Sequence, residues 1–306
     1  RDSFLSKEGV KVLGPDKFAS KLEGSKAFMK DLCKKNNIPT AKFGVFEDYD
    51  SAIHFLENNK TPIVVKADGL AAGKGVSICN NIEEAKNKIK EIVEGKFKSS
   101  KKVVLEEFLE GEELSYFVIS DNNCYKFFGS AQDHKKVGEG DVGPNTGGMG
   151  AFSPSNFLND ELENKIKKKI IEPTLKEMKN LGHPYTGFLY AGLMISNGEP
   201  YLIEYNIRMG DPECQVLMMR LKTDLLEILD LVTKNELKKV NIEWYDDNAI
   251  TVVLCAKGYP GNYIKDSEIK NIDKVETDKN NQVFHAGCLL YTSDAADEED
   301  SVDLGG

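Results

Sequence analysis

The chain has 306 residues, 40% hydrophobic and 29% charged, an ordinary globular composition with room for two or three packed units. Its net charge of −10 owes much to six acids in residues 289–306. The rest is near neutral, which argues against a nucleic-acid-binding surface and against a polybasic membrane patch. No apolar run approaches the roughly 20 residues that span a bilayer. Cys33, Cys79, Cys124, Cys214, Cys255 and Cys288 form no C-x-x-C pair, so neither a zinc site nor a disulfide framework is expected, and a reducing, cytoplasmic setting fits.

In chain order, residues 1–14 hold at most one strand, on Val10, Val12 and Leu13. Residues 25–37 predict a helix with Phe28, Met29, Leu32 and Cys33 inward and Lys26, Lys30 and Lys34 along another face. A second helix is expected over 48–59 behind an Asp48 cap. The stretch Lys66 to Val76, KADGLAAGKGV, follows the buried-strand run Ile63-Val64-Val65. Gly69, Gly73 and Gly75 let backbone amides approach a ligand, because no Cβ intervenes. Lys66 and Lys74 are point charges suited to phosphate. The spacing is not that of a Walker loop, since Gly75 rather than a hydroxyl follows Lys74. The stretch reads as a phosphate-covering loop or as a flexible hairpin with solvated lysines. Asn81 with Glu84 then resembles a capping box before the stripe Ala85, Ile89, Ile92 and Val93.

Strands are expected at 103–105 and on Leu114, Tyr116 and Val118. Between them crowd Glu106, Glu107, Glu110, Glu112 and Glu113. Most fit a solvated acidic turn, and two could turn inward to accept hydrogen bonds from a base amine and sugar hydroxyls. Residues 132–156 are rich in glycine and lack periodicity, which suggests one long ordered binding loop; His134 reads as a surface histidine. A helix over 160–180 is disturbed by Pro173.

From Tyr201 to Arg208 the alternation is strict: Tyr201, Ile203, Tyr205 and Ile207 take one face, and Leu202, Glu204, Asn206 and Arg208 the other. Glu204 and Asn206 offer oxygens to a hard cation such as Mg²⁺, and Arg208 a fork for phosphate or carboxylate. Asp211 reads as an N-cap and Pro212 as the first residue of a helix to about 235. A strand over 249–255 opens a further unit.

The stretches KADGLAAGKGV, EEFLEGEELS, QDHKKVGEGDVGPNTGGMGAFSP, YTGFLYAGLM and IEYNIRMGDPECQ together resemble the phosphoribosylamine–glycine ligase family of ATP-grasp enzymes, from about Leu13 to Gly287. The resemblance implies an α+β ATP-grasp fold, with ATP clamped between two α+β subdomains. Residues 15–240 would form that domain, with 61–125 covering the nucleotide. Residues 1–14 would be a remnant of an N-terminal α/β domain, 241–287 part of a C-terminal domain, and 288–306 an unrelated acidic tail. Lys26, Lys66, Gly73, Lys74 and Gly75 would hold the phosphates, Glu106, Glu107 and Leu109 the adenine, and Glu113 the ribose. Glu204 and Asn206 would bind Mg²⁺ or Mn²⁺. Asp133, Gly147, Gly148, Arg208 and Asp211 would line the site for glycine and 5-phosphoribosylamine, with Lys66, Arg208 and Asp211 catalytic. The implied reaction joins the two through a glycyl phosphate, giving glycinamide ribonucleotide, ADP and phosphate, in a cytoplasmic monomer. Two alternatives stand beside it: a module that binds Mg-ATP without turnover, and a ligase for another acid–amine pair.

Overall fold

A computed structural model describes residues 8–69, 75–96, 101–140, 142–275 and 280–287. The expected Gly73 and Lys74 contacts, and the tail 288–306, lie outside the described residues. Residues 10–13 form no strand; Leu13 instead packs against a core.

Helices α1 (Lys21–Gly24) and α2 (Lys26–Lys35) come first. Ser25 caps α2, its hydroxyl accepting the Phe28 N–H at 3.1 Å, while Lys34 and Lys35 sit in the last turn, where the helix dipole favours cations. Helix α3 (Tyr49–Glu57) starts at Asp48, whose carboxylate accepts from Ser51 N at 2.8 Å. Helix α4 (Ile82–Val93) starts at Asn81 as expected. Glu84 completes the turn by accepting from Asn80 N, one residue ahead of the cap.

Strands β1 (Phe43–Phe46), β2 (Ile63–Ala67), β3 (Val76–Cys79) and β4 (Val103–Glu107) form a small antiparallel sheet, order β1-β4-β2-β3. Ile63, Val65, Val103 and Leu105 pack on Ala52 and Leu56 of α3 and on Ala85 and Ile89 of α4. Full burial of each large aliphatic is worth about 1.5–3 kcal/mol. The lysine- and glycine-bearing stretch joins β2 to β3, and Ala67 N donates to Gly75 O at 2.7 Å where the hairpin closes.

The larger sheet has six antiparallel strands, order β11-β10-β5-β6-β9-β12. They are β5 (Glu112–Asp121), β6 (Tyr125–Asp133), β9 (Gly150–Ser153), β10 (Thr186–Ser196), β11 (Glu199–Asn206) and β12 (Ala249–Val252), with β7 (Lys136–Gly138) and β8 (Val142–Asn145) as a separate hairpin. The small sheet thus draws its strands from 43–107, against the expected span of 61–125, because Glu112–Asp121 pairs with β10 and β6. Both faces of β5 are covered. Leu114, Tyr116 and Val118 join one core with Met29 and Leu32, and Phe117 and Ile119 another with Val216, Leu217 and Ile228. A doubly covered strand reads as a continuous apolar run, as 116–119 does.

Four expectations need correction. Residues 132–156 are not one irregular loop: β7, β8 and β9 lie within them, β9 pairing with β6 and β12. The helix over 160–180 is α5 (Asp160–Ile166) and α6 (Glu172–Asn180) joined by a π turn, Lys167–Ile171. Pro173 has no N–H for a regular i−4 bond, and the wider turn absorbs that gap. The helix after Pro212 is α7 (Glu213–Arg220) and then α8 (Leu225–Thr233). Between them Lys222 N donates to Glu243 O at 3.0 Å, and Asp224 caps α8 by accepting from Glu227 N. Finally, the alternation in β11 is broken by a bulge. Gly192 pairs with Glu204 and Leu193 with Leu202, leaving Ile203 unpaired. Leu202 and Tyr205 therefore enter the same core, although strict alternation puts them on opposite faces.

Candidate active site

The site lies where the small sheet meets the large one. Asp68, just past β2, receives the Ala27 N–H and the Ser25 hydroxyl, each at 3.1 Å. That carboxylate ties the exit of β2 to the start of α2, where Lys26 stands. Lys26 Nζ donates to Gly69 O at 3.1 Å. Burial lowers the Lys26 pKa, and the charges of Glu204, Lys66, Asp68 and Glu106 all act on it. Lys26 is therefore within electrostatic reach both of Lys66, near the end of β2, and of Glu204 on β11, 138 positions apart in sequence.

Lys66 Nζ lies 2.9 Å from Glu106 Oε1, and Lys30 Nζ 2.7 Å from Glu106 Oε2. Burial opposes the charge on Glu106, yet Lys66 and Lys30 outweigh it and hold the carboxyl below its usual range. Glu106, placed by resemblance at an adenine amine, here spans two ammonium groups. Lys30 is expected on a lysine-lined face of α2; it is fully buried instead, because it reaches Glu106 on β4, while Lys34 on that face is exposed. Glu107 Oε1 accepts from Lys42 N at 2.9 Å, and Leu109 is half-buried just beyond β4.

On the large sheet, Glu113, Ser115, Asp133, Lys135, Tyr190 and Glu204 line a small cleft with Ile203 at the bulge. Lys135 Nζ lies 3.1 Å from Glu113 Oε2. Desolvation works against that ammonium, but Glu113, Glu204 and Asp133 together raise its pKa. Asp133 Oδ1 is buried with no hydrogen-bond partner among the described residues. Burial and the nearby Glu213 push the Asp133 carboxyl up to about 7. Glu213, 2% exposed at the start of α7, accepts from Ser115 Oγ at 2.9 Å, and Ser115 Oγ is 2.9 Å from the Tyr190 hydroxyl.

Gly148, at φ +135°, fits where a Cβ would lie 2.4 Å from Pro212 Cδ and 3.0 Å from Asp133 Oδ1. Gly147 N donates to the Tyr259 hydroxyl at 3.2 Å. Asp211 makes no cap to α7; its carboxylate accepts from Gln215 Nε2 at 2.7 Å. Arg208 is exposed, with Nε on Glu23 Oε1 at 3.2 Å and Nη2 on Asn206 Oδ1 at 3.4 Å. Glu23 also accepts the Ile207 N–H at 2.9 Å, so α1 sets the end of β11.

Sequence reasoning missed Lys30, Asp68, Glu23 and Glu213. Only Asp68, inside the glycine-rich stretch, carried a local signal. Among the described residues no three or more His, Cys, Asp or Glu converge as a cation cage. Glu204 and Asn206 supply one carboxylate and one amide oxygen, a hard-cation donor set that phosphate and water would complete.

The family model of the phosphoribosylglycinamide synthetase ATP-grasp (A) domain matches residues 24–214. A phosphoribosylamine–glycine ligase of Mesorhizobium japonicum is 50% identical over 94% of this chain and 67% of that protein. The crystal structure of phosphoribosylamine–glycine ligase from Thermotoga maritima superposes with a TM-score of 0.75 at 36% identity, over 81% of this chain and 63% of that one. This chain thus spans about two thirds of the length of those relatives. The biotin carboxylase domain of Hydrogenobacter thermophilus 2-oxoglutarate carboxylase, in complex with MgADP, ADP and bicarbonate, has a TM-score of 0.65 at 20% identity. It covers 81% of this chain and 54% of that chain, a likeness of fold alone.

Proposed function

The chain belongs to the phosphoribosylglycinamide synthetase family, the phosphoribosylamine–glycine ligases, and from that premise we propose that it serves the ATP-dependent ligation of glycine to 5-phosphoribosylamine. The arrangement that carries the reading is the gathering of lysines at the small sheet, Lys66 Nζ 2.9 Å from Glu106 and Lys26 Nζ 3.1 Å from Gly69 O, with Lys26 also feeling the charge of Glu204 on the large sheet. A polyphosphate with its cation needs that arrangement: ammonium groups on one side, oxygen ligands on the other.

A carboxylate is a poor electrophile, so glycine is first phosphorylated, and the amine then displaces phosphate from the glycyl phosphate. Lys26 and Lys66 neutralise the nucleotide phosphates. Glu204 and Asn206 would hold Mg²⁺, which would screen charge between the phosphates and orient the transferred group. Arg208, held by Glu23, and Asp211 would stand at the substrate end of the cleft with Gly147 and Gly148. Asp133, whose carboxyl burial and Glu213 push up to about 7 and whose Oδ1 has no hydrogen-bond partner among the described residues, is suited to receive the proton that the attacking amine sheds. No side-chain nucleophile is required.

The test is ADP release by the 306-residue chain. Release that depends on both glycine and 5-phosphoribosylamine supports the ligase; release with another acid–amine pair would redirect it. Mg-ATP binding without release under any pairing would favour a nucleotide-binding module.

A further inference from the structure

A lysine with no solvent contact needs an account of what it holds. Lys30 Nζ donates at 2.7 Å to Glu106 Oε2 on the small sheet and at 2.7 Å to Thr40 Oγ1. The Thr40 hydroxyl donates onward at 2.6 Å to the carbonyl of Leu202 on β11, and Leu202 N donates to Pro39 O at 2.8 Å. The ammonium also stands 5.7 Å from the centre of the Phe43 ring. Lys30 is therefore fixed from two sheets and enclosed. Lys66, the other cation on Glu106, stands one residue from the end of β2, beside the hairpin loop, and acts on Lys26.

Glu106 is 3% exposed. A carboxylate so placed cannot lose its counter-charge cheaply, because removing one partner of a buried pair leaves an uncompensated ion. With Lys66 as its sole partner, a phosphate drawing that lysine away would strand the carboxylate. With Lys30 in place, Glu106 stays compensated.

We propose that Lys30 is a positioning residue for phosphate recognition: it retains the charge of Glu106, so that Lys66 is free to turn from that carboxylate to a nucleotide phosphate. The inference rests on the nucleotide reading above. It assigns Lys30 no contact with the ligand. Its signature is a loss confined to the phosphate-dependent part of the affinity.

The test compares Mg-ATP with adenosine, by calorimetry or by competition, on the whole chain. Lys30→Met is expected to weaken ATP about tenfold or more while adenosine shifts less than about threefold. The double variant Lys30→Met/Glu106→Gln removes both charges, so Lys66 has no carboxylate to abandon. The ratio of ATP to adenosine affinity then returns to within about threefold of wild type, even if contact with the base suffers, because that contact weighs on both ligands alike. The double variant is informative by itself should Lys30→Met fail to fold. A wild-type ratio in Lys30→Met, equal losses for both ligands, or a double variant with a depressed ratio would overturn the inference. A wild-type chain that binds neither ligand would instead remove the nucleotide reading, and this inference with it.

Discussion

The two sheets treat charge in opposite ways. The small sheet and the helix beside it bring ammonium groups to the junction, Lys26, Lys30 and Lys66, with Glu106 clamped between two of them. The large sheet brings carboxylates, Glu113, Asp133 and Glu204, around the single ammonium of Lys135. Neither side alone offers both ammonium groups and carboxylates free of a double clamp. Under the proposed function the difference places recognition at the junction: one sheet would meet the anion and the other its cation. Glu213 strengthens the contrast, because it adds a buried negative charge that keeps Asp133 from ionising easily.

The most severe break of that contrast is on the small-sheet side. Glu106→Leu leaves Lys30 buried without a carboxylate, and urea denaturation is expected to register a loss of about 3–5 kcal/mol. On the large-sheet side the effect runs with pH. The folded pKa of Asp133 is about 7, above its ordinary value of 3.8. Its contribution is fully present below about pH 4 and is lost as pH rises through 7. Asp133→Asn is therefore expected to match wild type near pH 4 and to gain a relative stability on the order of 1–3 kcal/mol by pH 8. Equal melting curves at both pH values would mean that Asp133 titrates normally. Glu23→Gln sharpens the comparison at the end of β11. It should cost about 1–2 kcal/mol through the weakened Ile207 and Arg208 contacts, and raise the KM for the substrates more than that for ATP. The smallest effect belongs to Asp224→Ala, remote from both sheets' charges, at about 1 kcal/mol for the lost cap and no change in ligand binding.

Local features were legible in the sequence, and non-local ones were not. The caps at Asp48 and Asn81, the hairpin at Ala67 and Gly75, and the strand carrying Glu204 follow from patterns a few residues long. The role of Lys30 depends on Glu106, 76 positions away, and four residues from Lys26 it reads as another solvated lysine. The bulge at Ile203 is set by pairing with β10, and nothing in TYR-LEU-ILE-GLU, an unbroken strand pattern, announces it. β9 hid in a glycine-rich run because a short strand owes its stability to distant partners, here β6 and β12, whereas β7 and β8 pair with each other and are too short, at three and four residues, to show an alternation. The break between α7 and α8 had a signal that the continuous leucine spacing masked: Asp224 with Glu227 three positions on is a helix start. The family resemblance named Glu113, Asp133 and Glu204 among the residues lining the cleft, but not Ser115, Lys135 or Tyr190, nor the hydrogen bonds at Glu23 and Glu213.

The measurement that bears most directly on the convergence of the two sheets is a double-mutant cycle in Mg-ATP binding, with Lys66→Met on the small sheet and Glu204→Gln on the large one. If both flank one nucleotide–metal complex, each single change weakens binding, Glu204→Gln removes most of the dependence on Mg²⁺, and the pair is non-additive by at least about 0.5 kcal/mol. Strict additivity, or Mg²⁺ dependence unaltered by Glu204→Gln, would contradict a shared site.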